Sequence, residues 1–113
     1  MWEKYRNMKD TSRLSDQELK VLETIKTVID PEVAINIVDL GLIYNIDFKE
    51  AEKNIHVTMT LSARGCPVGD SIISQVETVV RSYWEDFNVD VELVWEPQWT
   101  PELITDAGKA ALG

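Results

Sequence analysis

Apolar residues recur at spacings of three and four in two stretches of the chain, and this spacing is typical of helices with one buried face. The first stretch follows Ser15, which forms a capping box with Glu18 three residues later. We expect this helix to end at the Asp30-Pro31 pair, because the residue before a proline is disfavoured in helical geometry. The second stretch covers residues 68–87. A third, shorter helix is predicted to begin at Thr100, with Pro101 in its first turn.

Strict alternation of apolar and polar residues marks three strands. Residues 42–49 and 55–62 alternate on either side of a polar turn, which predicts an antiparallel hairpin. Residues 89–96 alternate in the same way, and the crossover through the second helix makes this strand parallel to the one before it. The order α-β-β-α-β-α therefore predicts an α/β protein of the α+β sandwich type, with a small three-stranded mixed sheet and helices packed on one face.

The length of 113 residues is that of one domain. We place this domain at residues 15–113, after a basic tail at residues 1–14. The net charge of −9 argues against a nucleic-acid partner, because phosphates require lysine and arginine. No apolar run is long enough to span a membrane, and the N-terminal residues lack the apolar core of a signal peptide. A single cysteine excludes an internal disulfide. The expected location is the reducing cytoplasm.

Cys66 is the main candidate for chemistry. It precedes Pro67 at a strand-to-helix junction, and proline is favoured at the first position of a helix. Cys66 is therefore predicted to cap the second helix, where unpaired amides and the helix dipole stabilise a thiolate, and Arg64 adds positive charge. The competing interpretation is a small buried hydrophobic cysteine without chemistry.

Hairpin geometry places the loop before the first strand beside the end of the second. Asp39 should therefore approach the Cys66 loop, unless it only forms the turn before Gly41. Glu32 could reach the same place, or lie solvated on the surface. Thr60 is predicted to face away from the core and is a weak site candidate beside a cross-strand role.

Other features limit the chemistry. His56 falls on the polar phase of its strand and is interpreted as a surface residue, which argues against a Cys-His pair. Since one chain offers one cysteine and one histidine, a soft-metal centre would have to be transient, shared between subunits or completed by another molecule. Trp95 and Trp99 flank a proline-bearing bend, where they either pin the last helix or form a partner surface.

Taken together, these segments resemble the SufT/PaaD family of iron–sulfur maturation proteins, which also includes the eukaryotic cytosolic iron–sulfur targeting factors. The resemblance covers roughly residues 16–112 and implies the fold of other iron–sulfur assembly domains. It implies that Cys66 is the family's reactive cysteine and that Glu32, Asp39 and Thr60 are its other motif positions. Because the chain lacks the cysteine-bearing C-terminal extension of PaaD, it is most similar to a stand-alone SufT-like protein. The segments that carry the resemblance are 30–32, 37–44, 57–61, 65–67 and 91–97, with Trp99.

The leading hypothesis is therefore an accessory factor in iron–sulfur cluster assembly that helps to transfer clusters through Cys66 without turnover. Its expected partners are the assembly machinery and recipient apo-proteins, and a homodimer stays an open alternative. Its cargo would be iron or a transient or subunit-shared cluster. Two alternatives stay open: a small thiol-dependent enzyme that uses Cys66, and a pure interaction module that docks through its tryptophans.

Overall fold

The structure is a computed structural model that describes residues 14–62 and 68–112. Residues 1–13 of the predicted tail (1–14), residues 63–67 with Cys66, and Gly113 lie outside the described residues. A 3₁₀ turn at Pro101–Leu103 precedes the last helix. The helices are α1 (Asp16–Ile25), α2 (Gly69–Tyr83) and α3 (Asp106–Leu112), and the strands are β1 (Ile29–Asp30), β2 (Ile35–Asn36), β3 (Ile43–Lys49), β4 (Asn54–Met59) and β5 (Asn88–Leu93).

The first helix begins as predicted and ends earlier. The capping box is present, with the Ser15 hydroxyl accepting from the Glu18 amide at 3.2 Å and the Glu18 carboxylate accepting from the Ser15 amide at 3.0 Å. The predicted end at Asp30 was wrong, because α1 stops at Ile25. The Thr27 hydroxyl donates to the Thr24 carbonyl at 2.8 Å, so a side chain competes for a carbonyl in the last helical turn.

A short hairpin follows α1, within the segment that was predicted only as the loop before the first strand of the main sheet. Strands β1 and β2 pair antiparallel, with Ile29 opposite Asn36. The Asp30 carboxylate accepts from the Glu32 amide at 2.8 Å and so fixes the turn. Because the helix has already ended, Ile29 is 44 % exposed and does not continue the buried stripe of α1.

The main sheet confirms the predicted topology. Its strand order is β3-β4-β5, with β3 and β4 antiparallel and β4 and β5 parallel. Helix α2 forms the crossover from β4 to β5, which is the connection that parallel neighbours require. The predicted α+β class with a small mixed sheet is therefore confirmed.

The core lies between this sheet and the two long helices. Helices α1 and α2 pack against each other, α1 also contacts β3, and α2 contacts β5, whereas α3 packs beside β2. No helix in the described ranges is both long and apolar enough to cross a membrane. The most deeply buried large side chains of the core are Val21, Ile25, Ile37, Leu42, Ile43, Ile46, Ile55, Val57, Met59, Ile72, Val76 and Val80.

A β-bulge in β3 changes the predicted face of Tyr44. Simple alternation placed Tyr44 on the same face as Ile46. The register instead runs from the Ile43–Met59 pair directly to the Asn45–Thr58 pair, so Tyr44 is an extra residue. Its side chain is 3 % exposed but does not belong to the core cluster. It hydrogen-bonds to the C-terminal part of the chain, as described below.

Residues 94–108, which we call the C-terminal strap, replace the single helix predicted from Thr100. The strap leaves β5, crosses the end of the sheet and returns to the loop before β3. The predicted cap, Thr100, makes no side-chain capping bond, and the following turn is a 3₁₀ turn. Helix α3 starts later because Thr105 provides its cap, accepting from the Gly108 amide at 3.1 Å.

Candidate functional site

The candidate site lies at the end of the sheet where the β3–β4 hairpin opens. Pairing continues one step beyond β4, since the Thr60 amide donates to the Leu42 carbonyl at 2.8 Å. The loop before β3 therefore lies beside the chain that leaves β4, as hairpin geometry predicted. Residues 61 and 62 then lead into the Cys66 loop. At this sheet end Thr60 lies beside the segment before β3, which carries Asp39.

The start of α2 differs from the prediction. The helix begins at Gly69 with Val68 in the cap position, so Cys66 is not the capping residue. Val68 makes no side-chain capping bond, which is expected because its side chain has no acceptor. The first-turn amides therefore receive no cap from this residue. Cys66 itself lies outside the described residues, and its role stays a prediction.

Asp39 is held on both sides. One carboxylate oxygen accepts from the Asn36 side-chain amide at 2.8 Å, and the other accepts from the Thr105 hydroxyl at 2.9 Å. The backbone amide of Asp39 also donates to the Asn36 side chain at 2.8 Å, and its carbonyl accepts from the Thr105 amide at 2.8 Å. Asp39 thus joins its loop to the C-terminal strap. A carboxylate can accept about four hydrogen bonds, so these two leave capacity for a further donor.

Replacing Thr105 by valine tests this junction. The variant keeps the shape of the side chain and removes both the donor to Asp39 and the acceptor for Gly108. We expect the free energy of unfolding to fall by about 2 kcal/mol, since a capping bond and a charged hydrogen bond are lost together. Urea unfolding measures the change. The matched control is Thr78→Val on the exposed side of α2, and equal effects of the two variants would contradict the assignment.

Thr60 is buried, with 1 % exposure, beside a residue that sequence reasoning missed. The Tyr44 hydroxyl donates to the Pro97 carbonyl at 2.6 Å and shares a side-chain hydrogen bond with Thr60. Burial, together with the negative charge of Glu96, raises the pKa of Tyr44 to about 12, and the Thr60 hydrogen bond offsets part of this. The signal in the sequence was a tyrosine inside a strand, because a buried phenol requires a hydrogen-bond partner.

The other predicted residues are placed as follows. Glu32 lies exposed in the connection between β1 and β2. Trp99 is half-buried, packs against the core and donates its indole N–H to the Leu40 carbonyl at 2.7 Å. Trp95 also packs against the core. These contacts favour the packing interpretation of the two tryptophans, and their role as a partner surface stays a prediction.

His56 lies on the polar face of the sheet, where its ring nitrogen is 2.9 Å from a carboxylate oxygen of Glu92. Its side chain is 30 % exposed, in agreement with a surface position. Within residues 14–62 and 68–112, no group of three or more histidine, cysteine, aspartate or glutamate side chains is arranged to hold a metal ion.

The fold and this sheet end define a small α+β domain of the iron–sulfur assembly class. The family described as iron–sulfur cluster assembly protein matches residues 18–93. The chain therefore belongs to the iron–sulfur cluster assembly protein family, as the resemblance predicted.

Two relatives and one solved structure show how closely the chain follows this family. It is 44 % identical over 86 residues to the Fe-S protein maturation auxiliary factor SufT of Staphylococcus aureus, covering 76 % of this chain and 97 % of the relative. It is 36 % identical over 93 residues to the auxiliary factor YitW of Bacillus subtilis, covering 82 % and 90 %. A crystal structure of a domain of unknown function from Bacillus anthracis superposes with a TM-score of 0.79 at 36 % identity, covering 85 % and 91 %.

Proposed function

We propose that this protein is a cytoplasmic, non-catalytic accessory factor that helps to pass iron–sulfur clusters to recipient proteins through Cys66. The observation that carries the proposal is family membership over residues 18–93, together with relatives named as Fe-S protein maturation auxiliary factors. The expected partners are components of the assembly machinery and apo-proteins that need a cluster.

The cluster is the cargo in this proposal. A thiolate is a preferred ligand for iron in a cluster, and clusters normally take about four such ligands. Because the chain contains one cysteine and one histidine, it contributes one soft ligand, and the others come from a second copy, a donor or a recipient. Transient binding of this kind suits transfer better than storage.

In this proposal the start of α2 stabilises the thiolate, and nearby polar residues support it. The first turn of α2 has no side-chain cap from Val68, so its amides favour negative charge near the helix start. Thr60 directly precedes the segment that leads to Cys66. Asp39 is tied to the C-terminal strap through Thr105, and Thr60 is tied to it through Tyr44, which bonds to Pro97. In this proposal Asp39, Thr60 and Glu32 form the supporting pocket around the thiol.

A complementation experiment tests the proposal. Cells that lack this protein are supplied with the wild type, Cys66→Ser or the control Ser74→Ala, which alters an exposed position of α2. We expect Cys66→Ser to give the low iron–sulfur enzyme activity of cells without the protein, and Ser74→Ala to restore wild-type activity. Equal protein levels and equal unfolding midpoints in urea establish that the serine variant is folded. Full recipient activity with Cys66→Ser would end the proposal.

A further inference from the structure

Strand β5 forms one edge of the main sheet, and we call its outer side the open edge. No strand in the described part of the chain pairs with that side. The opposite edge is protected, because α1 contacts β3 and the Glu18 carboxylate accepts from the Phe48 amide at 3.1 Å. The two edges of the sheet therefore differ in the described part of the chain. Natural proteins usually cover or block an edge strand, so the β5 edge calls for an explanation.

The peptide groups that face outward can be assigned. The amides of Asn88 and Val94 donate to carbonyls at the β4 side, those of Lys53 and Met59, each at 2.8 Å. In a strand the N–H and C=O of one residue point to the same side, and those of the next residue point to the other side. The N–H and C=O groups of Val89, Val91 and Leu93 therefore point away from β4. These six groups form a ready template for a further strand.

The charge on this edge is of one sign. Asp90 and Glu92 are exposed and two residues apart, and both lie on the sheet face that carries His56, as the register and the His56–Glu92 contact show. No lysine or arginine occurs between residues 85 and 96. On the other face of the edge, Leu93 is 37 % exposed and offers an apolar contact.

The acidic residues of this edge favour a different protein over a second copy of the chain as its partner. Two copies that paired antiparallel about Val91 would place Asp90 of each opposite Glu92 of the other, and directly opposed like charges are destabilising. An added strand with lysine or arginine opposite Asp90 and Glu92 would form attractive cross-strand pairs.

We propose that the open edge of β5 is a docking site for an extended segment of a partner protein, which adds antiparallel as a fourth strand. The segment carries basic residues at every second position, facing Asp90 and Glu92, with apolar residues between them. The proposal goes beyond the proposed function, and binding at β5 can be tested without any cluster.

The probe is a seven-residue peptide, blocked at both ends, in which lysine and valine alternate. Binding is measured by amide NMR titration of the full chain. We expect the Val89, Val91 and Leu93 amides to gain protection from hydrogen exchange, whereas those of Asn88 and Val94 are already bonded. N-methylation of the peptide's valines removes the donors that face β5 and is expected to weaken binding about tenfold. Equal affinity of the methylated peptide would overturn the proposal, because it would indicate charge attraction without strand addition.

A pair of charge variants completes the test. Asp90→Lys combined with Glu92→Lys is expected to weaken binding about tenfold, since two attractive pairs become repulsive. The control, Glu23→Lys combined with Glu102→Lys, changes the net charge equally at two exposed positions outside β5 and should bind within about twofold of the wild type. No binding by the wild type, or equal losses in both double variants, would mean that the acidic residues only keep the edge from self-association.

Discussion

Replacing Gly41 by alanine is expected to lower the free energy of unfolding by about 3 kcal/mol or more. Gly41 has a φ angle of +81°, a left-handed conformation that costs an alanine about 1 to 2 kcal/mol. An added Cβ would also lie 2.4 Å from the Leu103 carbonyl oxygen, which belongs to backbone and cannot rotate away. The strap and the loop before β3 therefore cannot keep their present contact once residue 41 has a side chain.

Urea unfolding followed by tryptophan fluorescence measures this effect, because Trp99 bonds to Leu40 beside Gly41. Hydrogen exchange of the Thr105 amide, which donates to Asp39, reports detachment of the strap directly. The comparison variant is Gly108→Ala, whose Cβ would meet the Ile104 methyl at 2.7 Å and the Asp39 carbonyl at 2.8 Å.

The Gly108 variant should lose less stability than the Gly41 variant. Part of its crowding involves a side chain that can move, and alanine is favoured over glycine in a helix by about 1 kcal/mol. If the free energy of unfolding of Gly41→Ala were within about 0.5 kcal/mol of the wild-type value, the strap would not need the close approach of Leu103 to residue 41.

Local patterns predicted the parts of the fold that depend on local physics. The capping box of Ser15 and Glu18 fixed the start of α1, and alternation found the three strands of the sheet, because burial of one face is recorded in neighbouring residues. The end of α1 was missed because hydroxyl competition at Thr24 and Thr27 outweighed the apolar stripe that continued to Ile29.

The candidate site depends on hydrogen bonds between residues that are far apart in the sequence and leave no local pattern. Tyr44 bonds to Pro97 across 53 positions, Trp99 to Leu40 across 59 and Thr105 to Asp39 across 66. No periodicity indicates such pairs. The bulge that turns Tyr44 toward Thr60 likewise depends on the register with β4, which alternation within one strand cannot specify. Sequence reasoning thus named Asp39 and Thr60 as candidates, but it did not predict that Thr105 bonds to Asp39 or that Tyr44 links Thr60 to Pro97.

Tyr44 should make the stability of the protein fall steeply at high pH. The folded protein holds the pKa of this phenol at about 12, against 10.0 for an ordinary tyrosine. Above pH 10 the unfolded chain loses the phenol proton while the folded protein retains it, so ionisation favours the unfolded state. The stabilisation is fully present below pH 10 and is lost as the pH rises toward 12. A shift of this size corresponds to about 2 to 3 kcal/mol.

Tyr44→Phe isolates this contribution. Near pH 7 the variant should be less stable than the wild type by about 1 to 2 kcal/mol, because the Pro97 carbonyl and Thr60 lose the phenol. Between pH 10 and 12 the difference should shrink, vanish and then reverse, because the wild type loses about 2 to 3 kcal/mol by ionisation and the variant has no phenol to ionise. Urea unfolding at several pH values measures this, with Tyr83→Phe as the control because that tyrosine is 68 % exposed. A constant difference between Tyr44→Phe and the wild type up to pH 12 would show that the Tyr44 phenol ionises alike in the folded and unfolded chain, and would remove it as the buried link between Thr60 and the strap.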